Sequence, residues 1–215
     1  MITENQFDMV FDCQQIFKAL MNALARPGHI ETMAPQIEKL ETDHAALLAA
    51  GLTLLDNWRS FYVCGDAPEL AQELKEMTYG VPAEPEKADY VFLPRGYQNQ
   101  KSIREMLESV KIGTLPEPHK SATLFIELDQ LCGGPETTLT GPGINGAITV
   151  TLPEEGRQWL VERQAMAFEF PCGVELYFIT PQGQIMGIPR KIKVGGTRYW
   201  DTSPLPVAKR PLKRP

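Results

Sequence analysis

Short β-prone runs alternate with helical segments through the first 128 residues, and this alternation limits the chain to few folds. Phe17, Leu20, Met21 and Leu24 recur at helical spacing and predict an amphipathic helix over 10–24. It stops at Ala25-Arg26-Pro27-Gly28, because proline disfavours helical geometry in the residue before it. A second helix starts at Asp43 as N-cap and runs through Leu47, Leu48 and Leu52. A strand at 60–64 follows, then a helix over 69–79 bracketed by Pro68 and Gly80. A strand at 88–93, a helix over 102–111 and a strand at 121–128 complete the alternation.

The second half is richer in strands. Segments 137–140 and 147–152 flank the turn Gly141-Pro142-Gly143, and a helix with Pro153 at its first position continues through Trp159, Leu160 and Met166. Segments 174–179 and 184–188 predict a hairpin around Pro181-Gln182-Gly183. Alternating elements followed by a strand-rich region predict a single α/β domain over 1–205, with a mixed sheet covered by helices. Residues 206–215 hold Lys209, Arg210, Lys213 and Arg214 among three prolines, and predict a flexible basic tail.

The charge balance excludes whole classes of function. The chain carries −6, and without those four tail residues −10, which is unsuited to nucleic-acid binding. No apolar run reaches the roughly 20 residues that span a bilayer, and the N-terminus lacks a signal-peptide pattern. A cytoplasmic protein with no membrane contact is expected. Cys13, Cys64, Cys132 and Cys172 show no C-x-x-C spacing, and His29, His44 and His119 show no ligand spacing, so no metal site is expected. Cys64 and Cys172 fall in apolar runs and read as core residues.

No phosphate-binding P-loop, dinucleotide fingerprint or nucleophile elbow occurs, and no catalytic residue stands out. Three arginines lie in constrained turns: Arg26 before Pro27-Gly28, Arg95 between Pro94 and Gly96, and Arg190 after Pro189. A guanidinium so placed suits a carboxylate or phosphate, or an ion pair and a helix-end carbonyl. Gly28, Gly141 and Gly143 let another chain segment or an anion come close to the backbone. Arg26, Gly28, Gly141, Gly143 and Arg190 are therefore the candidate anion-binding or interface residues. Glu175, the carboxylate of the 174–179 strand, is expected to face water, with pairing to an arginine as the alternative.

Five segments in order resemble one family, the PhnH subunit of the bacterial carbon–phosphorus lyase system. They are residues 17–28 (Phe-Lys-Ala-Leu-Met-Asn-Ala-Leu-Ala-Arg-Pro-Gly), Gly113-Thr114-Leu115 with Ser121-Ala122-Thr123-Leu124, residues 139–144 (Leu-Thr-Gly-Pro-Gly-Ile), residues 170–176 (Phe-Pro-Cys-Gly-Val-Glu-Leu), and Ile188-Pro189-Arg190. Two departures stand out. The family commonly has Asp where this chain has Glu175, and Arg-Thr-Thr where it has Arg190-Lys191-Ile192.

The resemblance implies a fold like that of pyridoxal-phosphate-dependent transferases but without the cofactor. It also implies a homodimer and membership of a core complex that uses phosphonates. That complex joins ATP and a phosphonate to give a ribose 1-phosphonate 5-triphosphate and adenine. A non-autonomous subunit of this transferase, in contact with other core subunits and with ATP or phosphonate, is the leading expectation. An independent pyridoxal-phosphate- or nucleotide-dependent transferase is the alternative. For that reading Lys120 and Lys191 are the lysines nearest the motif segments, and neither lies in a pyridoxal-phosphate signature.

Overall fold

A computed structural model describes residues 6–97 and 102–195. The proposed tail at 206–215 lies outside them. The described residues form six α-helices: α1 (Phe11–Ala25), α2 (Ala34–Ile37), α3 (Ala45–Leu54), α4 (Pro68–Thr78), α5 (Ile103–Ser109) and α6 (Glu154–Ala165). The strands are β1 (Glu31–Thr32), β2 (Ser60–Val63), β3 (Val81–Pro82), β4 (Tyr90–Leu93), β5 (Thr123–Glu127), β6 (Glu136–Thr140), β7 (Ile148–Thr151), β8 (Glu175–Ile179), β9 (Gln184–Ile188) and β10 (Lys193–Gly195).

The mixed sheet is present, and a second sheet accompanies it. Seven strands lie in the order β1-β9-β8-β5-β4-β2-β3, and three form an antiparallel sheet in the order β10-β6-β7. In the large sheet β3, β2, β4, β5 and β8 run parallel, β9 returns against β8, and β1 runs against β9. The chain leaves β2 outward to β3 and then places β4 on the other side of β2. The strand order therefore reverses between β2 and β4, a topological switch point.

Alternation along the parallel strands feeds two cores, one on each face. Phe92, Phe125 and Tyr177 sit side by side in register and face α1, α3 and α4, with Phe125 stacked 5.3 Å from Phe92 and 4.9 Å from Tyr177. Val91, Leu124, Ile126 and Phe178 face the other way, toward α5, α6 and the small sheet, where Trp159 and Leu139 are buried. The Tyr177 hydroxyl donates to the Leu20 carbonyl 3.0 Å away, so α1 is fastened to the sheet it covers.

The first helix is present, and only part of its apolar stripe faces the core. Its buried face is Ile16, Ala19, Leu20 and Ala23, while Phe17 and Met21 are about half exposed. Small residues face inward because Gly187 of β9 brings the sheet backbone against the helix. A Cβ on Gly187 would sit 2.6 Å from the backbone of Ala23. The large apolar residues are thus left on the outer side.

Other boundaries follow local chemistry. His44, rather than Asp43, is the N-cap of α3, and Pro153 is the cap of α6 rather than its first helical residue. Ser102 and Glu105 form a reciprocal capping box at the start of α5. At the sheet's outer edge the N–H groups of Val81 and Ala83 donate inward to β2, and Pro82 takes the outward position where it has no N–H to offer. Cys64 and Cys172 are buried, as expected.

Candidate functional site

The five motif segments, scattered from residue 17 to 190, converge at one end of the molecule, where the parallel strands begin. Three of the glycines there are closely approached by other segments. Gly28 (φ +85°) faces β7, and a Cβ there would lie 2.5 Å from Ile148 and 3.0 Å from Val150. Gly143 (φ +83°) faces the end of α1, where a Cβ would meet Pro27 at 2.8 Å and the Ala25 carbonyl at 3.0 Å. Gly141 lies against the loop after β9, where a Cβ would come within 2.9 Å of the Lys191 carbonyl. The β6–β7 turn is therefore clamped between α1 and the loop that leaves β9.

Arg190 binds the rest of the cluster together. Its Nη2 and Nε lie 3.0 and 3.3 Å from Glu175 Oε1, at the first position of β8. Its Nη1 donates to the carbonyl of Pro118, in the loop that leads into β5. Glu175 therefore does not face water freely: it is half-buried and neutralised by Arg190, the alternative that the sequence left open. Arg26 is not joined to Arg190. It pairs instead with Glu31 across 3.3 Å and remains 57% exposed, while its backbone N–H closes the end of α1 on the Asn22 carbonyl.

The two lysines considered from the sequence are also held. Lys120 pairs with Glu117 at 2.6 Å on the surface. Lys191 Nζ donates to the Cys172 carbonyl at 2.6 Å and lies 5.5 Å from the centre of the Phe170 ring. Partial burial lowers the Lys191 pKa, with Arg190 and Arg163 acting in the same direction. Phe170-Pro171 is a cis peptide beside this contact. An open groove of about 430 Å³ adjoins the cluster, lined by Lys111, Gly113, Thr114 and Lys120 together with Glu86 and Glu108.

One residue central to this end was missed from the sequence. Arg163 of α6 is buried, and its guanidinium donates to the carbonyls of Val174, Ile188 and Ile192 at 3.3, 3.1 and 3.2 Å. Burial lowers its pKa to about 10, and the negative charge of Glu175 opposes that shift. Its position gave a signal, because it stands four residues after Trp159 and three after Leu160, on the buried face of α6.

At the opposite end, where the parallel strands finish, a second polar group gathers. Glu127 closes β5 and is 1% exposed, with its Oε2 accepting from the Arg95 N–H at 3.2 Å. His44 Nδ1 lies 3.6 Å and Arg95 Nε 3.7 Å from that same oxygen. Arg95 Nη1 also reaches the Asp129 carboxylate at 3.1 Å. The turn placement of Arg95 was visible in the sequence, whereas its partners come from separate segments and were not. Among the described residues, no group of three His, Cys, Asp or Glu side chains is arranged to hold a metal ion.

A family model described as "Bacterial phosphonate metabolism protein (PhnH)" matches residues 5–195. The chain is 26% identical over 196 residues to the alpha-D-ribose 1-methylphosphonate 5-triphosphate synthase subunit PhnH of Rhizobium meliloti (strain 1021), covering 87% of this chain and 92% of that protein. It is 27% identical over 183 residues to a protein of Stutzerimonas stutzeri named as a candidate C-P lyase subunit, HtxG, covering 82% and 83% respectively.

Proposed function

The chain belongs to the PhnH family of bacterial phosphonate-metabolism proteins, and from that premise we propose that it works as a non-autonomous subunit of a carbon–phosphorus lyase complex. Its role is to support the step in which ATP and a phosphonate yield a ribose 1-phosphonate 5-triphosphate and adenine. The observation that carries this reading is the family match over residues 5–195. The convergence of the motif segments supports it further. Glycines with no room for a side chain and an arginine occupied by a carboxylate describe a rigid scaffold better than a reactive centre.

Arg26, Gly28, Gly141, Gly143 and Arg190 are read here as the part of the surface that meets a partner subunit or an anionic group, with Arg26 as the exposed cation. A homodimer belongs to the same reading. Its support is the outer side of α1, where Val10, Phe17 and Met21 place large apolar side chains in solvent at helical spacing. The finer likeness to a pyridoxal-phosphate-dependent transferase without its cofactor is also part of the proposal, supported by the helix-covered parallel run from β2 to β8. Location in the cytoplasm is compatible with the finding that no described helix is long and apolar enough to cross a membrane.

Co-expression with the other lyase subunits, followed by affinity capture of this chain and sizing of the eluate, tests the reading. A stoichiometric assembly is expected. Recovery of this chain alone, with undiminished phosphonate growth in a strain lacking it, would reject the proposal.

A further inference from the structure

We propose that the end of the sheet opposite the motif cluster carries a ligand site, built on Glu127, His44 and Arg95, that takes a hydroxyl-bearing phosphorylated sugar. Glu127 Oε1 and His44 Nδ1 are both buried without a hydrogen-bond partner among the described residues. The separation of His44 Nδ1 from Glu127 Oε2, 3.6 Å, is too long for a hydrogen bond. A buried carboxylate oxygen left without a donor is costly, so the pair is one donor short.

The location gives this shortage a meaning. In open α/β sheets ligands bind beyond the carboxyl ends of the strands, beside the point where strand order reverses. That point lies between β2 and β4 here, and Arg95 stands two residues past the end of β4. A Cβ on Gly65, beyond the end of β2, would lie in ordinary van der Waals contact with Tyr97 at 3.7 Å, so the two loops stand side by side. Glu127 comes from the next strand over. His44 caps the ten-residue helix α3, whose N-terminal N–H groups add positive potential.

The chemistry of the ligand follows from what each group lacks. A buried carboxylate needs donors such as hydroxyls, and in dinucleotide-binding sheets an acidic side chain accepts from the hydroxyls of ribose. Arg95 is half-exposed and oriented from behind by Glu127, so its guanidinium can exchange the exposed Asp129 for a phosphate. Hydroxyl donors and an anion on one small molecule describe a phosphorylated sugar, free or within a nucleotide. The choice of ribose among such sugars rests on the proposed function.

Calorimetric titration of the full chain, and of the co-purified complex, with ribose 5-phosphate, ATP and inorganic phosphate tests the site. Saturable binding of ribose 5-phosphate or ATP is expected, with inorganic phosphate at least about tenfold weaker. The two sugar ligands separate a free sugar phosphate from a nucleotide. Glu127→Gln keeps the side-chain volume and is expected to weaken binding about tenfold. Arg95→Ala, at an exposed guanidinium, is expected to do the same and preserves the test should the first variant not fold. Arg104→Ala, on the surface of α5, leaves binding unchanged. Absence of saturable binding in both preparations, equal affinity for inorganic phosphate, or unchanged binding in every folded variant at Glu127 or Arg95 overturns the proposal. Co-elution of the subunits without sugar binding rejects the site alone, and sugar binding without co-elution rejects the subunit reading alone.

Discussion

Arg190 closes on Glu175 at 3.0 Å and so ties the loop after β9 to the first residue of β8. Both side chains are mostly shielded, so the pair should exceed a surface ion pair in worth. A double-mutant cycle with Arg190→Ala and Glu175→Gln, read by urea unfolding, should give a coupling energy of about 1 kcal/mol or more. Additive effects would show that the contact is incidental.

Arg163 satisfies three carbonyls from three segments, so its loss should be felt across the whole motif end. Arg163→Met keeps the length and removes the donors, and should cost about 3 kcal/mol in chemical denaturation. Lysine cannot span the same fork, and Arg163→Lys should recover only part of that loss. A cost of under about 1 kcal/mol for Arg163→Met would mean that the carbonyls find other donors.

Gly187 sets the depth at which α1 lies on the sheet. Gly187→Ala brings a Cβ within 2.6 Å of the Ala23 backbone, where no side-chain rotation relieves the clash. The expected destabilisation is about 1–3 kcal/mol, visible as a lowered melting temperature. Gly96→Ala serves as a contrast: open space surrounds a Cβ there, and only the positive φ of 80° opposes it.

Asp89 predicts a specific pH response. Burial pushes its pKa up, but hydrogen bonds from Lys111 and from Ser60 outweigh this and hold it below the usual aspartate value. A carboxylate depressed in the folded state stabilises the fold above its unfolded pKa of about 3.9, and that stabilisation fades as pH falls through the folded value. Asp89→Asn should therefore be less stable than the parent at pH 7, with the difference shrinking below about pH 4. A constant difference from pH 7 to pH 3 would rule out this linkage.

Arg26 tests the assembly surface. Arg26→Glu replaces an exposed pair with Glu31 by an exposed, solvent-screened repulsion, so the melting temperature should move by no more than a few degrees. Recovery of lyase subunits with the tagged chain should nevertheless fall severalfold. Unchanged recovery would move the partner surface away from this end.

The alternation of strands with helices was legible because the parallel strands are buried on both faces and read as short apolar runs, with Phe125 and Tyr177 facing one core and Leu124, Leu176 and Phe178 the other. The short strands β1, β3 and β10 were not legible, since two or three residues carry too little periodicity and exist through their neighbours' hydrogen bonds. Which way Phe17 and Met21 face was not legible either. Helical spacing marks an apolar stripe, but the close approach of Gly187 decided that alanines would fill the interface. The motif residues could be named from sequence, whereas the Glu127–His44–Arg95 group could not, because its members come from three separate segments, with His44 and Glu127 83 positions apart.

The pairing of β1 with β9, together with the bond from Tyr177 to Leu20, has a consequence for how the protein is made. The first helix leaves the ribosome well before the sheet it covers, since Tyr177, which fastens it there, lies 157 residues beyond Leu20. Until then Ile16, Leu20 and Ala23 can pack against α3 but not against β9, and contacts of such long sequence separation form slowly. The helix must therefore wait for the strand that completes its cover, and loss of β9 would open the face that carries Ile16, Leu20 and Ala23.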